Sequence, residues 1–478
     1  MAFEKIRNAE ELLSHGDVES RRIVLEVTDE VLRRLDSYYR LRSFIRLEGN
    51  TLHIGRRQLN LDDYGRVYVF CAGKASNHMA RAFEDILGDR LTQGVVIVKI
   101  REETDIFQRM ELFVGGHPLP NEGSIEGSRR MLEIADQMEA DDLFLVGLSG
   151  GCTALMGYPV EGITLEDMQL ATDAMLKAGM WVMDINDVRG HLCRMNRGRL
   201  GQRIKNGTQI ECFEIWDAVG LDDSHDYREP LPVMGTPVGS DPVTFDDIRG
   251  IIQEHDLAGK LPPSVVEYLM NAGPDQETPK EAGNVTYYVI NTLPDACNCA
   301  LAVAEEMGIP AHVFTTYAEG ESKDYGTVMA SLAREILHSD RPFQRPCLVF
   351  SGGETTTYIP DSSVIRGHGG PSQELVCGFA LAAAGAPGAC MLSIDSEGTD
   401  GTTIMAGGLT DSKTYAASVA AGIHLRQALK EHATSEALLA LSDCVYTGNT
   451  GTNLCDFNVL YIPGDDPGSD TKKEKGES

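Results

Sequence analysis

The chain has 478 residues, of which 42% are hydrophobic and 24% charged, with a formal net charge of −30; this length exceeds one core and predicts two sizeable domains. The acidic balance excludes nucleic acid and anionic membrane as partners over most of the surface. An anionic substrate would have to be met by a local basic pocket or a metal ion.

The 11 cysteines are scattered and odd in number, and the closest pair, Cys297 and Cys299, lacks the spacing of a zinc or redox site, so reduced thiols are expected. The N-terminus carries no apolar h-region and no window is long enough for a membrane span, which places the expected location in the cytoplasm. The expected partners are a small-molecule substrate and, in a homodimer, a second copy of the chain.

The first fifty residues have the 3.6-residue apolar period of packing helices, with Ile23, Leu25, Val27, Val31 and Leu32 in register. Residues 66–72 (RVYVFCA) predict a core strand that ends at Gly73 and Lys74 before a helix. This turn is not a Walker A loop, since Ala75 stands where a Ser or Thr would hold magnesium. By itself Lys74 reads either as a packing lysine or as an anion-binding one. A second strand covers 94–100, and His117 follows in the segment FVGGHPLPNE, as a turn residue or as a ligand-binding one.

The central strand is 143–148, an apolar run that stops at Ser149, Gly150 and Gly151. Residues without a β-carbon let backbone N–H groups converge on a phosphate, and the following helix start adds positive potential. Strand alternating with helix over 66–180 predicts an α/β fold with a doubly wound, mostly parallel sheet that binds ligands at the strand C-termini. Thr164 is expected to cap the next helix, with Asp167 as the reciprocal partner. Residues 184–200 concentrate Arg189, Arg194, Arg197, Arg199 and His191, which form either an electropositive wall or a salt-bridged solvated face.

Further strands are expected at 287–291 and 311–315. The run 347–350 leads into Ser351, Gly352, Gly353 and Glu354, a second turn of the phosphate-binding type. Asp395 and Asp400, after the strand 389–394, either bind Mg²⁺ or cap turns. A last strand covers 459–462, and residues 464–478 are too polar to pack. The predicted division is an N-terminal Rossmann-like domain over 1–240, a connecting region over 241–340, a second α/β domain over 341–463 and a disordered tail.

Eight blocks occur in order: GKAS at 73–76, GGHPLPNEGSIEGSRRMLE at 115–133, LVGLSGGCTALM at 145–156, INDVRGHL at 185–192, SGGETT at 351–356, GGPSQEL at 369–375, GTDG at 398–401 and TGNTGTN at 447–453. Together they resemble the glycerate 2-kinase family, whose C-terminal part is the MOFRL domain. The resemblance implies two α/β domains facing one cleft, with ATP and Mg²⁺ used to phosphorylate the 2-hydroxyl of D-glycerate. Some members carry a hydroxypyruvate reductase label, but the chain has no GxGxxG dinucleotide loop; a non-catalytic ligand-binding paralogue is the other alternative.

By that match, Lys74 and Arg189 are the expected catalytic residues. Gly73, both SGG turns and Glu354 would meet the nucleotide, Asn186, His191, His117 and Gln373 the substrate, and Asp395 and Asp400 the metal. The chain departs from the family pattern where Gly190 replaces a lysine and His368 and Pro371 replace arginines. Those losses predict that D-glycerate is a weaker acceptor than a longer sugar acid or a polyol.

Overall fold

The computed structural model describes residues 3–220, 236–359 and 362–465. The helical period of the N-terminus continues only to the helix Ser37–Phe44, after which β1 (Ile45–Glu48), β2 (Thr51–Ile54) and β3 (Arg57–Asn60) form an antiparallel meander. Here the apolar period changes to two, with Ile45, Leu52, Ile54 and Leu59 buried, and the turns are made by Gly49 and Gly55 at φ +60° and +53°.

Six strands then build the first large sheet: β4 (Val67–Ala72), β5 (Gln93–Val98), β6 (Met110–Val114), β7 (Leu143–Leu148), β8 (Gln209–Ile215) and β9 (Val285–Asn291). Their order is β6-β5-β4-β7-β8-β9 and every pair is parallel. The chain steps outward from β4 on one side and from β7 on the other, so the order reverses between them. This is the expected doubly wound arrangement, and its switch point lies between the turns after β4 and β7. Alternate residues of β4 face opposite layers, Val69 and Cys71 towards Met79 and Phe83, Tyr68 and Phe70 towards Met131 and Ile134. The helix Leu165–Lys177 begins with the predicted reciprocal cap of Thr164 and Asp167.

The second sheet comprises β10 (Ala311–Ala318), β11 (Cys347–Gly353), β12 (Cys390–Asp395), β13 (Gly407–Asp411), β14 (Cys444–Val445) and β15 (Asp456–Ile462), in the order β10-β11-β15-β12-β13-β14. Only β10 and β11 are parallel. One face is covered by the helices Ser322–Ser339 and Pro371–Ala382. The other receives Leu293–Glu306 and, from the start of the chain, Val18–Leu35. Arg21 of that first helix is fully buried and pairs with Asp411 and Asp443 of the second sheet's side, the latter at 2.8 Å.

Residues 18–35 pack with the second sheet, because their apolar face matches that surface. Residues 241–340 are divided between the sheets, with β9 the edge of the first and β10 the edge of the second. Residues 227–235, part of the stretch 227–242 whose Pro and Gly predict a loop, and residues 466–478 of the expected tail lie outside the described residues. Among the described residues no helix is long and apolar enough to cross a membrane. One apolar core runs from Val69 and Leu145 through Phe83 and Ala300 to Leu348 and Phe350, joining the sheets beneath a cleft.

Candidate active site

The cleft has a volume of about 600 Å³ and is lined from the first sheet by Lys74, Lys99, His117 and Asp217. From the second sheet come Glu354, Asp395, Glu397 and Asp456, together with Asn453 and the loop 399–404. Lys74, Lys99 and Asp217 each follow the C-terminal end of a parallel strand, where a chain leaving the sheet points its side chains to the ligand edge.

The switch point is drawn tight by glycine. Gly73 has φ +134°, and a β-carbon there would stand 2.2 Å from Ser149 Oγ. That approach lets Lys74 N–H donate to Gly150 O at 3.0 Å and Ala75 N–H donate to Ser149 Oγ at 3.0 Å. Gly151 is left-handed at φ +80°, and a β-carbon there would meet the His117 ring at 2.9 Å. A β-carbon at Gly150 would overlap Asp217 Oδ2 at 1.7 Å, and Asp217 accepts from Asn453 Nδ2 at 2.8 Å across the cleft. Gly73, Lys74, Ser149, Gly150, Gly151 and His117 are thus brought together at one edge.

Lys74 Nζ lies 2.9 Å from Glu397 Oε2. Burial works against its charge and is outweighed by Glu397, Asp395, Asp217 and Glu354, so the ammonium is held above its usual range. His117 is pushed down to about 3 by burial and by Lys74 and Lys99, and is neutral at physiological pH. On the other wall, burial and Glu397 raise Asp395 well above a carboxylate's usual value despite Lys74. Burial likewise raises Asp217 to about 6, against the pull of Lys74. The cleft therefore has a cationic edge and an acidic one.

Arg189 sits beside this edge. One amino group donates to Pro118 O at 3.2 Å, another to Asn186 Oδ1, and Nε is buried without a partner. Burial pulls the guanidinium down to about 10, and no carboxylate pairs with it among the described residues. Asn186 thus holds Arg189 from within the same helix.

Several expected site residues belong elsewhere. Ser351, Gly352 and Gly353 are still strand, hydrogen-bonded to β15 on one side and to β10 on the other. Their N–H groups cannot converge on a phosphate, and the glycines instead admit Leu293 and Ala318, 2.4 and 2.0 Å from where β-carbons would lie. His191 is fully buried, its Nδ1 bonded to Asp187 O at 2.8 Å and its ring edge-on to Phe245. Gln373 is also buried, with Nε2 on Asp400 at 3.0 Å and Oε1 accepting from Ser435 at 2.6 Å.

Asp400 accepts from the backbone of Ser372 at 3.1 Å and of Gln373 at 2.9 Å. It caps the helix Pro371–Ala382 with both oxygens, and its first role is structural. Of the four arginines at 189–199, only Arg189 approaches the cleft. Arg197 pairs with Asp187 and Asp241, whereas Arg194 and Arg199 border a separate groove. Among the described residues no three His, Cys, Asp or Glu side chains form a metal-holding group.

The positions that predicted a weakened acceptor site also change meaning. A side chain at Gly190 would run into Arg197 at 2.5 Å. His368 is exposed and paired with Glu436 at 2.9 Å, and only Pro371 lines the cleft. The sequence reading missed Lys99, Asp217, Asn453 and Asp456. Lys99 and Asp217 carried the same signal as Lys74, a charged residue closing an apolar strand; Asn453 ends the block TGNTGTN, and Asp456 carried no signal.

Residues 23–270 match the family described as "Domain of unknown function (DUF4147)", and residues 347–456 match the MOFRL family. The chain is 34% identical to the glycerate 2-kinase of Pyrococcus horikoshii, over 92% of its own length and 97% of the relative's. It is 33% identical to the D-glycerate 2-kinase of Thermotoga maritima, covering 85% and 92% of the two chains. The crystal structure of a glycerate kinase from Thermotoga maritima superimposes with a TM-score of 0.75 at 28% identity, over 94% of this chain and all of that one. With its two matched domains and the cleft between them, the chain belongs to the glycerate 2-kinase family.

Proposed function

We propose that this protein transfers the γ-phosphoryl group of ATP to the 2-hydroxyl of D-glycerate. The observation that carries the reading is the glycine-drawn edge at the switch point, which sets the Lys74 ammonium beside the Ser149–Gly151 turn and opposite a carboxylate wall. Phosphoryl transfer asks for positioned phosphates, neutralised charge and an in-line hydroxyl. The turn's backbone and Lys74 supply the first two on the donor side. Arg189, held by Asn186, supplies a planar cation for an acidic acceptor.

The hydroxyl oxygen bonds to the γ-phosphorus as the bond to the β–γ bridging oxygen breaks, and ADP leaves with that electron pair. The hydroxyl proton passes to a cleft carboxylate, for which Asp217, at about 6, has the proton affinity suited to neutral pH. His117 is neutral and limits the positive charge at this edge.

The acidic wall fits a divalent cation by its donor chemistry: Asp395 is a buried carboxylate whose charged form burial and Glu397 disfavour, and hard oxygen donors suit Mg²⁺. Asp395 would hold the ion, with Asp456, its partner across β12 and β15, beside it, and the ion would neutralise phosphate charge when bound with ATP. The weaker-acceptor expectation loses its support, since two of its three positions do not line the cleft.

The test is ADP formation from ATP, Mg²⁺ and D-glycerate, with the product identified by phosphorus NMR. 2-Phosphoglycerate is expected. ADP formation that does not depend on glycerate, or a product phosphorylated at the 3-hydroxyl, would overturn the reading.

A further inference from the structure

Lys99 follows β5, one strand away from Lys74, and has no part in the assignment above. Its Nζ lies 2.8 Å from Glu397 Oε1 and 2.8 Å from Thr399 Oγ1. Lys74 reaches the other oxygen of the same carboxylate, at 2.9 Å from Oε2. The Glu397 side chain is only 5% exposed, whereas those of Lys74 and Lys99 are 16% and 24% exposed to the cleft. Glu397 is further pinned by Thr399 Oγ1, which donates to it, and by its own N–H on Asp395 Oδ1 at 3.1 Å.

Two ammonium groups from neighbouring strands, set on the two oxygens of one anion, have the spacing needed for two oxygens of one phosphoryl group. Without Glu397 these like charges would repel each other in a confined space, and neither long side chain would keep its direction. With it they are preorganised from opposite sides of the cleft, the lysines on the first sheet and the anion on the second. Such preorganised charge is effective in the transition state because little is reordered during the reaction.

We propose that Lys99 is a second catalytic lysine, contacting the transferred γ-phosphoryl group together with Lys74, and that Glu397 is the positioning residue that holds the two ammonium groups in register. This rests on the kinase reading, and it is tested on binding as well as on turnover so that the two can fail separately. In calorimetric titrations with Mg²⁺ present and no glycerate, Lys99→Met should weaken ATP by ~10-fold or more while leaving ADP nearly unchanged, because only ATP carries the γ-phosphoryl group.

In the glycerate assay the same variant should lose ~10²-fold in kcat with little change in the KM for glycerate. Lys99→Arg should recover part of that loss, and Glu397→Gln should lower kcat while the thermal midpoint stays near wild type. Equal weakening of ATP and ADP by Lys99→Met, or no weakening of either, overturns the proposal whatever the turnover shows. A wild-type protein that binds ATP through Lys99 but leaves glycerate untouched would overturn the acceptor reading instead.

Discussion

Lys74 closes an apolar strand and would be an ordinary surface lysine if Gly73 did not bring its backbone against Ser149. That contact turns the side chain into the cleft, where four carboxylates keep it charged. Lys74→Ala should therefore cost ~2.7–4 kcal/mol of transition-state stabilisation, or ~10²–10³ in kcat. The measurement is kcat beside a circular dichroism spectrum; near wild-type turnover would return Lys74 to a packing role. A β-carbon at Gly73 has no such alternative. Gly73→Ala should separate the two turns and lower activity and the unfolding midpoint together, by ~1–3 kcal/mol in stability.

At the scale of elements, the helix Pro371–Ala382 shows how one acid can serve a fold rather than a metal. Its N-terminus would attract an anion, and Asp400 fills that place from within the chain, contacting the backbone of Ser372 and Gln373. Burial holds Asp400 up to about 7, which suits a cap shared between carboxylate and acid forms. Asp400→Ala should lower stability by ~1–3 kcal/mol in urea unfolding, and the Mg²⁺ concentration for half-maximal activity should stay at its wild-type value. A large rise in that concentration would mark Asp400 as a metal ligand after all.

Across the whole molecule, the two sheets meet in a polar hub beside the cleft. His78 Nδ1 lies 2.8 Å from Asp36, which Lys5 also contacts at 2.6 Å, and His78 Nε2 lies 3.1 Å from Glu102. Lys5 reaches Thr450 O at 2.9 Å, and Asn77 accepts from Asn449 of the same loop at 2.9 Å. Burial lowers the His78 pKa, but Asp36 and Glu102 outweigh it and hold the ring above its usual value. A raised folded value means that its stability is fully present below ~6.5 and is lost as pH rises through the folded value. The thermal midpoint should fall over that range in the wild type and fall less in His78→Gln; equal slopes would exclude the hub as the cause. Ligand at the junction should act the other way, and ATP with Mg²⁺ at ~100 times its Kd should add ~2.7 kcal/mol. A thermal shift no larger than that of Mg²⁺ alone would place the nucleotide outside the cleft.

Local pattern was enough for β4, β5 and β7, because strands buried on both faces read as unbroken apolar runs; β6 and β8, where Glu111, Glu211 and Glu214 interrupt the run, gave no such signal. It was enough for the Ser149–Gly151 edge and for the cap of Thr164 on Asp167, in which both partners lie within three residues. The same reasoning failed at Ser351–Gly353, where identical residues admit neighbouring chains inside a sheet; only the partners on either side of β11 distinguish a turn from a packed strand. Asp395 and Asp400 look alike in sequence and both line the cleft, yet only Asp400 caps a helix nearly thirty residues earlier in the chain. Lys99 and Glu397 are separated by almost three hundred residues, and their pairing depends on how two sheets dock. Periodicity and turn chemistry act over a few residues, and so the sequence determined most of the elements and half of the glycine-drawn edge of the cleft. Charge pairing across the cleft acts through space, and only the tertiary structure decided which acids and lysines meet.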